Sequence, residues 1–146
     1  MFNDDFIRML ELHQQGFHCS QILLALGLEK RGRTNPDLIR AMTGLAGGLG
    51  FTGKLCGALS GGACLLALYA GRGSVEERGD AKLDLMISEL VDWFEAQYGG
   101  RYGGIDCDDI LEDNPLNRPQ RCPQIVRETY AKVVELLTDH GYDIEG

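Results

Sequence analysis

A glycine-rich apolar stretch is the feature that most restricts how this chain can fold. Residues 55–71, LCGALSGGACLLALYAG, carry no charge and are long enough for one helix. Each glycine inside a helix costs about 1 kcal/mol relative to alanine. Gly57 and Gly61 are spaced i, i+4, as are Gly44 and Gly48 upstream, and small residues at this spacing let two helix backbones approach closely. We therefore expect a buried helix that packs closely against a second one.

A membrane-spanning interpretation of the same stretch is disfavoured by its length. Its 17 residues fall short of the ~20 apolar residues that a bilayer requires. Lys54 and Arg72 flank it, and the surrounding sequence has a soluble pattern. We expect no membrane span.

The rest of the chain also shows helical periodicity. Apolar residues recur at helical spacing, and no segment shows sustained period-two alternation. These patterns predict an all-α fold, a single compact bundle of about five principal helices in one domain, residues 1–146. The expected helices are 4–15 after Asn3-Asp4-Asp5, one from Gly16 to about Gly27, one from Asn35-Pro36, one from Cys56 to Gly71, one from a capping box at Ser74–Glu77 to Gly99-Gly100, a single turn at 107–111, and one from Cys122-Pro123 to Gly141.

The charge balance excludes one class of partner. The chain has 14 Lys and Arg residues against 22 Asp and Glu residues, a net charge of −8. Without a basic stripe to displace phosphate counterions, no nucleic-acid partner is expected. The segment MFNDDFIRML is acidic and lacks the apolar run of a signal peptide, so we expect a cytoplasmic protein. The reducing cytoplasm disfavours structural disulfides, which leaves catalytic, metal-binding or buried roles for the cysteines.

Five cysteines carry the candidate chemistry, and none belongs to a C-x-x-C pair. Cys56, Cys107 and Cys122 lie at expected helix starts, and Cys19 lies at or just inside one. Helix N-termini stabilise thiolates through unpaired N–H groups and a partial positive charge, so four such positions favour a functional site. Cys64 follows Cys56 by eight residues on one expected helix, so their α-carbons are ~12 Å apart. That is too far for a disulfide, and we expect Cys64 to pack in the core.

Neighbouring cations favour the thiolate at two of these cysteines. Lys54 precedes Cys56, and Arg118 and Arg121 precede Cys122. A nearby positive charge stabilises the ionised thiol. The sequence therefore predicts Cys56 or Cys122 as the reactive thiolate.

The other two cysteines have less favourable neighbours. Cys107 is embedded in DCDD, where three carboxylates oppose ionisation, so we expect a poor free nucleophile that could still resolve a mixed disulfide or bind metal. His18 precedes Cys19 and is a candidate base or ligand. Adjacent helical residues point ~100° apart, however, which favours a surface or loop-packing role for His18.

Four short motifs follow one another as GFHCSQ, CGALSG, CDDIL and RCPQIV. In this order they resemble the C-GCAxxG-C-C family of redox-active proteins, from Gly16 to about Leu137. The most specific part is the block at 56–61, Cys-Gly-Ala-x-x-Gly, in which the first two letters of the family label are exchanged. Cys64 lies outside the pattern. The resemblance implies redox chemistry without a named substrate, at Cys19, Cys56, Cys107 and Cys122.

Metal binding gives two hypotheses for these four cysteines. The first is an iron–sulfur cluster of the small two-iron type for electron transfer, because such clusters require four cysteine ligands. A domain related to this family also occurs in multihaem cytochrome-type proteins, where these cysteines are suited to holding an iron centre. Gly57 and Gly61 would let a backbone pass close to such a centre. The second is a structural zinc or metal-carrier module that uses the same four sulfurs. No C-x-x-C-H motif is present, so no covalently attached haem is expected.

A metal-free thiol–disulfide protein is the third hypothesis. Cys56 or Cys122 would attack, and Cys107 or Cys19 would resolve the mixed disulfide. The protein would then be an oxidoreductase or an electron-transfer protein whose donor or acceptor is unidentified, and a homo-oligomer stays open.

Overall fold

The structure is a computed structural model that describes residues 4–146. Asn3, expected to help begin the first helix, lies outside the described residues. Within this range the chain is helical, as predicted, and its one β feature is an isolated antiparallel bridge between Leu55 and Asp106. The helices are α1 (Asp4–Gln14), α2 (Cys19–Lys30), α3 (Pro36–Met42), α4 (Ala46–Leu49), α5 (Gly57–Ala70), α6 (Leu83–Phe94), α7 (Gly100–Tyr102), α8 (Cys107–Leu111) and α9 (Arg118–Asp139), with 3-10 turns at Thr43–Leu45 and Pro115–Asn117 and a π-helical turn at Glu95–Gly99.

Helix α5, which contains the glycine-rich stretch, is the central helix. It packs most extensively against α2, and its other faces contact α6 and α9. A Cβ added at Gly61 would lie 2.9 Å from the Ser20 α-carbon, so the backbones of α5 and α2 are in direct contact there. Gly62 faces Leu90 of α6 and Thr129 of α9 instead. The predicted close helix pair is confirmed, and packing on three sides offsets the low helix propensity of the glycines.

Apolar side chains of α2, α5, α6 and α9 form the core around this centre. Burial of one such side chain contributes ~1.5–3 kcal/mol. The described residues contain no helix that is both long and apolar enough to cross a membrane. The largest fully buried side chains are Tyr98, Phe94, Leu23, Leu24, Leu26, Leu65, Leu66, Met86, Leu90, Ile110, Leu137 and Val133.

The prediction that a capping box at Ser74–Glu77 opens a helix is wrong. This segment is a loop, and α6 begins only at Leu83. The Glu77 carboxylate accepts the N–H of Gly73, and Arg72 donates to the carbonyls at the start of the loop, so the expected cap does not form. Val75 is 81% exposed, so a helix here would have no apolar contact to stabilise it.

The expected helix end at Gly99-Gly100 is also wrong. Both glycines adopt helical torsions, and the chain continues through the π-helical turn into α7. The helix ends at Gly103, whose φ of 79° supplies the left-handed cap. Tyr98 lies in the π-helical turn and packs its ring 4.7 Å from that of Phe94, which holds this turn against the core.

Residues 47–51 form a left-handed loop that interrupts α4, where a regular helix was expected to continue. Because α3 ends at Met42, the prediction that Gly44 and Gly48 share a helix face is wrong. A Cβ at Gly48 would overlap the backbone of Lys54, so this position accepts only glycine. Positive φ angles occur at five successive residues, Gly47, Gly48, Leu49, Gly50 and Phe51.

Helix α9 begins earlier than the sequence suggested. Its first residue is Arg118, and Pro119 occupies the first turn, where a missing N–H costs nothing. Pro123, predicted to start the helix, lies inside it. Cys122 is therefore the fifth residue of α9, and its expected place at a helix N-terminus is wrong.

Candidate functional site

Cys56 and Cys107 are held side by side by the isolated β-bridge. The Cys107 N–H donates to the Lys54 carbonyl at 2.7 Å, and the Cys56 N–H donates to the Ile105 carbonyl at 3.2 Å. Two segments that are distant in sequence are thereby joined just before α5 and at the start of α8. The two buried side chains share a hydrogen bond, and we call them the thiol pair.

The environment of the thiol pair stabilises one thiolate. The hydrogen bond from the Cys56 thiol, the N–H of Gly57 and the charge of Arg118 lower the pKa of Cys107 to about 7, although burial opposes them. Gly57 is the first residue of α5, so its N–H has no partner within the helix. The same hydrogen bond, together with burial, raises the pKa of Cys56 well above its usual value. Near neutral pH about half of the molecules therefore hold a Cys107 thiolate beside a Cys56 thiol, and this fraction grows as the pH rises.

The lower pKa of Cys107 is the reverse of the expectation that Cys56 or Cys122 carries the thiolate. The carboxylates that were expected to oppose ionisation of Cys107 have other contacts. Asp109 accepts a backbone N–H at the start of α8, and Asp108 lies beside the loop before α5 and has only a small effect on Cys107. The helix N-terminus that stabilises Cys107 is that of α5, which no local sequence pattern around Cys107 could show.

Of the cations expected to activate Cys56 and Cys122, Arg118 does favour the Cys122 thiolate, whereas Arg121 and Lys54 have other surroundings. Arg121 forms an ion pair with Glu112 at 2.6 Å and donates to a carbonyl at the end of α8. The side chain of Lys54 is exposed. Burial raises the pKa of Cys122 to about 12, so this thiol stays protonated.

An apolar cavity of about 90 Å³ connects the thiol pair to Cys19 and Cys122, which also line it. Cys19 is the first residue of α2 and approaches α5 so closely that a Cβ at Gly57 would lie 2.7 Å from its sulfur. Burial raises the pKa of Cys19 to about 11, although the N–H groups of Ser20 and Gly47 favour its thiolate. Four predicted site cysteines thus face one space.

Three further residues that line the cavity, Arg118, Phe51 and His18, were not combined by sequence reasoning. Arg118 lies over the ring of Phe51, with its guanidinium carbon 5.0 Å from the ring centroid. The ring of His18 contacts the same Phe51 edge-on at 5.1 Å, the loop-packing role predicted for it. Phe51 belongs to the left-handed loop, and the cluster of glycines in residues 47–53 was the signal that could have marked this segment.

Cys64 lies apart from the cavity. It is partly exposed on α5 and packs at the edge of the core, where burial raises its pKa. The expectation that it belongs to packing agrees with this position.

A preformed metal site is not found among the described residues. In residues 4–146, no three His, Cys, Asp or Glu side chains are grouped so that they could hold a metal ion.

The comparison with protein families agrees with the position of the cysteines. Residues 17–136 match the family described as "Putative redox-active protein (C_GCAxxG_C_C)". The chain belongs to this family. The four cysteines assigned to the C_GCAxxG_C_C pattern are those that line the cavity, and the fifth lies outside both. No curated protein and no solved structure matches the chain.

Proposed function

We propose that the protein is a metal-free thiol–disulfide redox protein in which Cys107 attacks and Cys56 resolves. The observation that carries the proposal is the placement of two buried cysteines side by side by the β-bridge, in surroundings that lower the pKa of one thiol and raise that of the other. Both side chains line the cavity, so a substrate sulfur that enters it would reach Cys107. Membership of a family described as redox-active supports redox chemistry in general.

The reaction balances as a two-electron exchange with a disulfide substrate. The Cys107 thiolate attacks one substrate sulfur, an S–S bond forms between them, and the other substrate sulfur leaves as a thiolate. The leaving thiolate takes the proton of Cys56. The Cys56 thiolate then attacks the Cys107 sulfur, which forms the Cys56–Cys107 disulfide and releases the second substrate thiolate. The protein is oxidised and the substrate reduced.

The remaining site residues have supporting roles in this proposal. Gly57 donates its N–H to the Cys107 thiolate and, like Gly61, allows α2 to lie close to α5. Cys19 and Cys122 stay protonated as walls of the cavity, since burial raises both pKa values. A reducing cytoplasm, the location we propose, would return the pair to its dithiol form.

A redox titration against dithiothreitol tests the proposal. Wild-type protein should lose two thiols in one two-electron step, and peptide mapping should find Cys56 joined to Cys107. Cys64→Ala is the matched control and should titrate like the wild type, whereas Cys107→Ser should remove the step. A wild-type protein that forms no Cys56–Cys107 link under these conditions would contradict the proposal.

An iron–sulfur centre is the second candidate, because one cavity collects all four cysteines of the family pattern. The present arrangement does not fit such a centre well. The side-chain hydrogen bond joins only two of the sulfurs, and burial keeps Cys19 and Cys122 protonated, whereas metals bind thiolates. Zinc would require the same four thiolates.

Elemental analysis of protein purified without oxygen separates these candidates. We expect less than one metal ion per chain. Stoichiometric iron with acid-labile sulfide would replace the thiol–disulfide proposal by the cluster, and stoichiometric zinc without colour would replace it by the zinc module.

A further inference from the structure

The cavity beside the thiol pair has an unusual lining for so acidic a chain. No Asp or Glu is among the described residues that line it, although the chain has 22 of them. One water needs only ~10–15 Å³, so about 90 Å³ admits a small organic group. Besides His13 and His18, the walls away from the sulfurs are mostly apolar side chains of α1, α2 and α9 and the turn before α2, among them Met9, Leu10, Phe17, Ile22, Ile125 and Val126.

Arg118 is the one arginine or lysine among the described lining residues. Arg118 forms no ion pair within residues 4–146, whereas Arg121, three residues further along α9, pairs with Glu112. Its contact with Phe51 uses the flat face of the guanidinium. The N–H donors at the edge of the group remain suited to an anion, which they can bind in a bidentate manner.

We propose that the disulfide substrate is a small amphipathic molecule, with an apolar body for the cavity and an anionic group for Arg118. This inference rests on the proposed function and names its substrate class. Arg118 is close enough to Cys107 to favour the Cys107 thiolate, so an anion bound there brings the attached disulfide to the attacking sulfur. The S–S bond of the substrate breaks, one sulfur joins Cys107, and the other leaves as a thiolate beside the positive charge of Arg118.

Two aromatic disulfides that differ in charge provide the test. The probes are 5,5′-dithiobis(2-nitrobenzoate), which carries carboxylates, and 4,4′-dithiodipyridine, which is neutral. The initial rate of thiolate release is measured with each probe, and the rate of the Cys107→Ser variant with the same probe is subtracted. The difference is then divided by the rate at which free N-acetylcysteine reacts with that probe, which corrects for the intrinsic reactivity of the probe. The ratio of the two normalised rates cancels any change in the reactivity of Cys107 itself.

Arg118→Gln should lower the anionic-to-neutral ratio by about tenfold or more, because a hydrogen bond to a charged group contributes on this scale. Arg121→Gln is the matched control on the same helix, since Arg121 lies outside the cavity lining and pairs with Glu112. It should leave the ratio unchanged. Glutathione disulfide, which is anionic but polar, should react more slowly than the aromatic anion after the same normalisation.

Two results would overturn the inference and leave the proposed function standing. One is a ratio that Arg118→Gln does not change. The other is glutathione disulfide reacting as fast as the aromatic anion. Failure of the proposed function itself looks different, because Cys107→Ser would then react like the wild type with every probe.

Discussion

Replacing Gly61 by alanine tests the close contact on which the site depends. Gly61 lies on α5 opposite the start of α2, and its new Cβ would lie 2.9 Å from the Ser20 α-carbon and 3.3 Å from the Ser20 carbonyl oxygen. Both contacts are backbone atoms, so no side-chain rotation can relieve them. Helix α2 must move, although Ser20 ties it to the Met42 carbonyl by a 2.7 Å hydrogen bond.

The magnitude follows from two opposing contributions. Alanine is a better helix former than glycine by about 1 kcal/mol. Overpacking of a filled core costs about 1–3 kcal/mol. The balance should lower the free energy of unfolding by up to about 2 kcal/mol, and the shift of α2 should also displace Cys19, the neighbour of Ser20.

Gly100→Ala is the matched control, because Gly100 is helical and exposed and a Cβ there would have no neighbour within 4 Å. It should gain up to about 1 kcal/mol from helix propensity alone. Urea denaturation at constant m-value measures both variants. The reasoning fails if Gly61→Ala is as stable as Gly100→Ala.

Three further changes test other parts of the account. Cys64→Ala should keep the two-electron redox step, and urea denaturation should show a free energy of unfolding about 1 kcal/mol lower. Cys56→Ser should abolish the redox step. Loss of the step in Cys64→Ala together with its survival in Cys56→Ser would exclude the assigned pair. The pKa of Cys107 is lowered from 9.0 in the unfolded chain to about 7 in the folded protein. Between these pH values the unfolded chain binds more protons than the folded one, so the free energy of unfolding should rise from about pH 7 to 9.0. Urea titrations across this range should show the rise in the wild type, and Cys107→Ser should remove it. Leu49→Gly should raise the free energy of unfolding by about 0.5–1 kcal/mol, because glycine removes the strain of a φ of 65° and this gain outweighs the larger entropy of glycine in the unfolded chain. A loss of stability would contradict strain at this exposed position.

The helical fold could be predicted because its main signals are local. Helical periodicity and the i, i+4 spacing of Gly57 and Gly61 identified a buried central helix with a close neighbour. The failures occur where contacts distant in sequence decide. The capping pattern at Ser74–Glu77 has no apolar face that could pack against the core. Gly99 and Gly100 stay helical because the π-helical turn that contains Tyr98 packs against the core.

The candidate site shows the same division. Motif order indicated which cysteines belong together, and geometry excluded Cys64 from them. The order of thiolate stability could not be predicted, because the groups that lower the pKa of Cys107 are the Cys56 side chain and then the N–H of Gly57, and a long-range β-bridge brings both to it. Arg118 was assigned to Cys122 by sequence proximity. In the structure it favours the Cys122 thiolate as expected, but burial outweighs it there, and it also favours the Cys107 thiolate, which the sequence did not indicate.

Site-resolved alkylation across pH is the most direct test of the central claim that Cys107 is the thiolate and Cys56 its hydrogen-bonding partner. Reduced protein is pulsed with iodoacetamide, and mass spectrometry gives the rate at each cysteine. Cys107 should react first, with a midpoint at about pH 7, and Cys56→Ala should shift that midpoint upward toward 9.0. A Cys107 midpoint near 9.0 in the wild type, or Cys56 reacting before Cys107, would contradict the account.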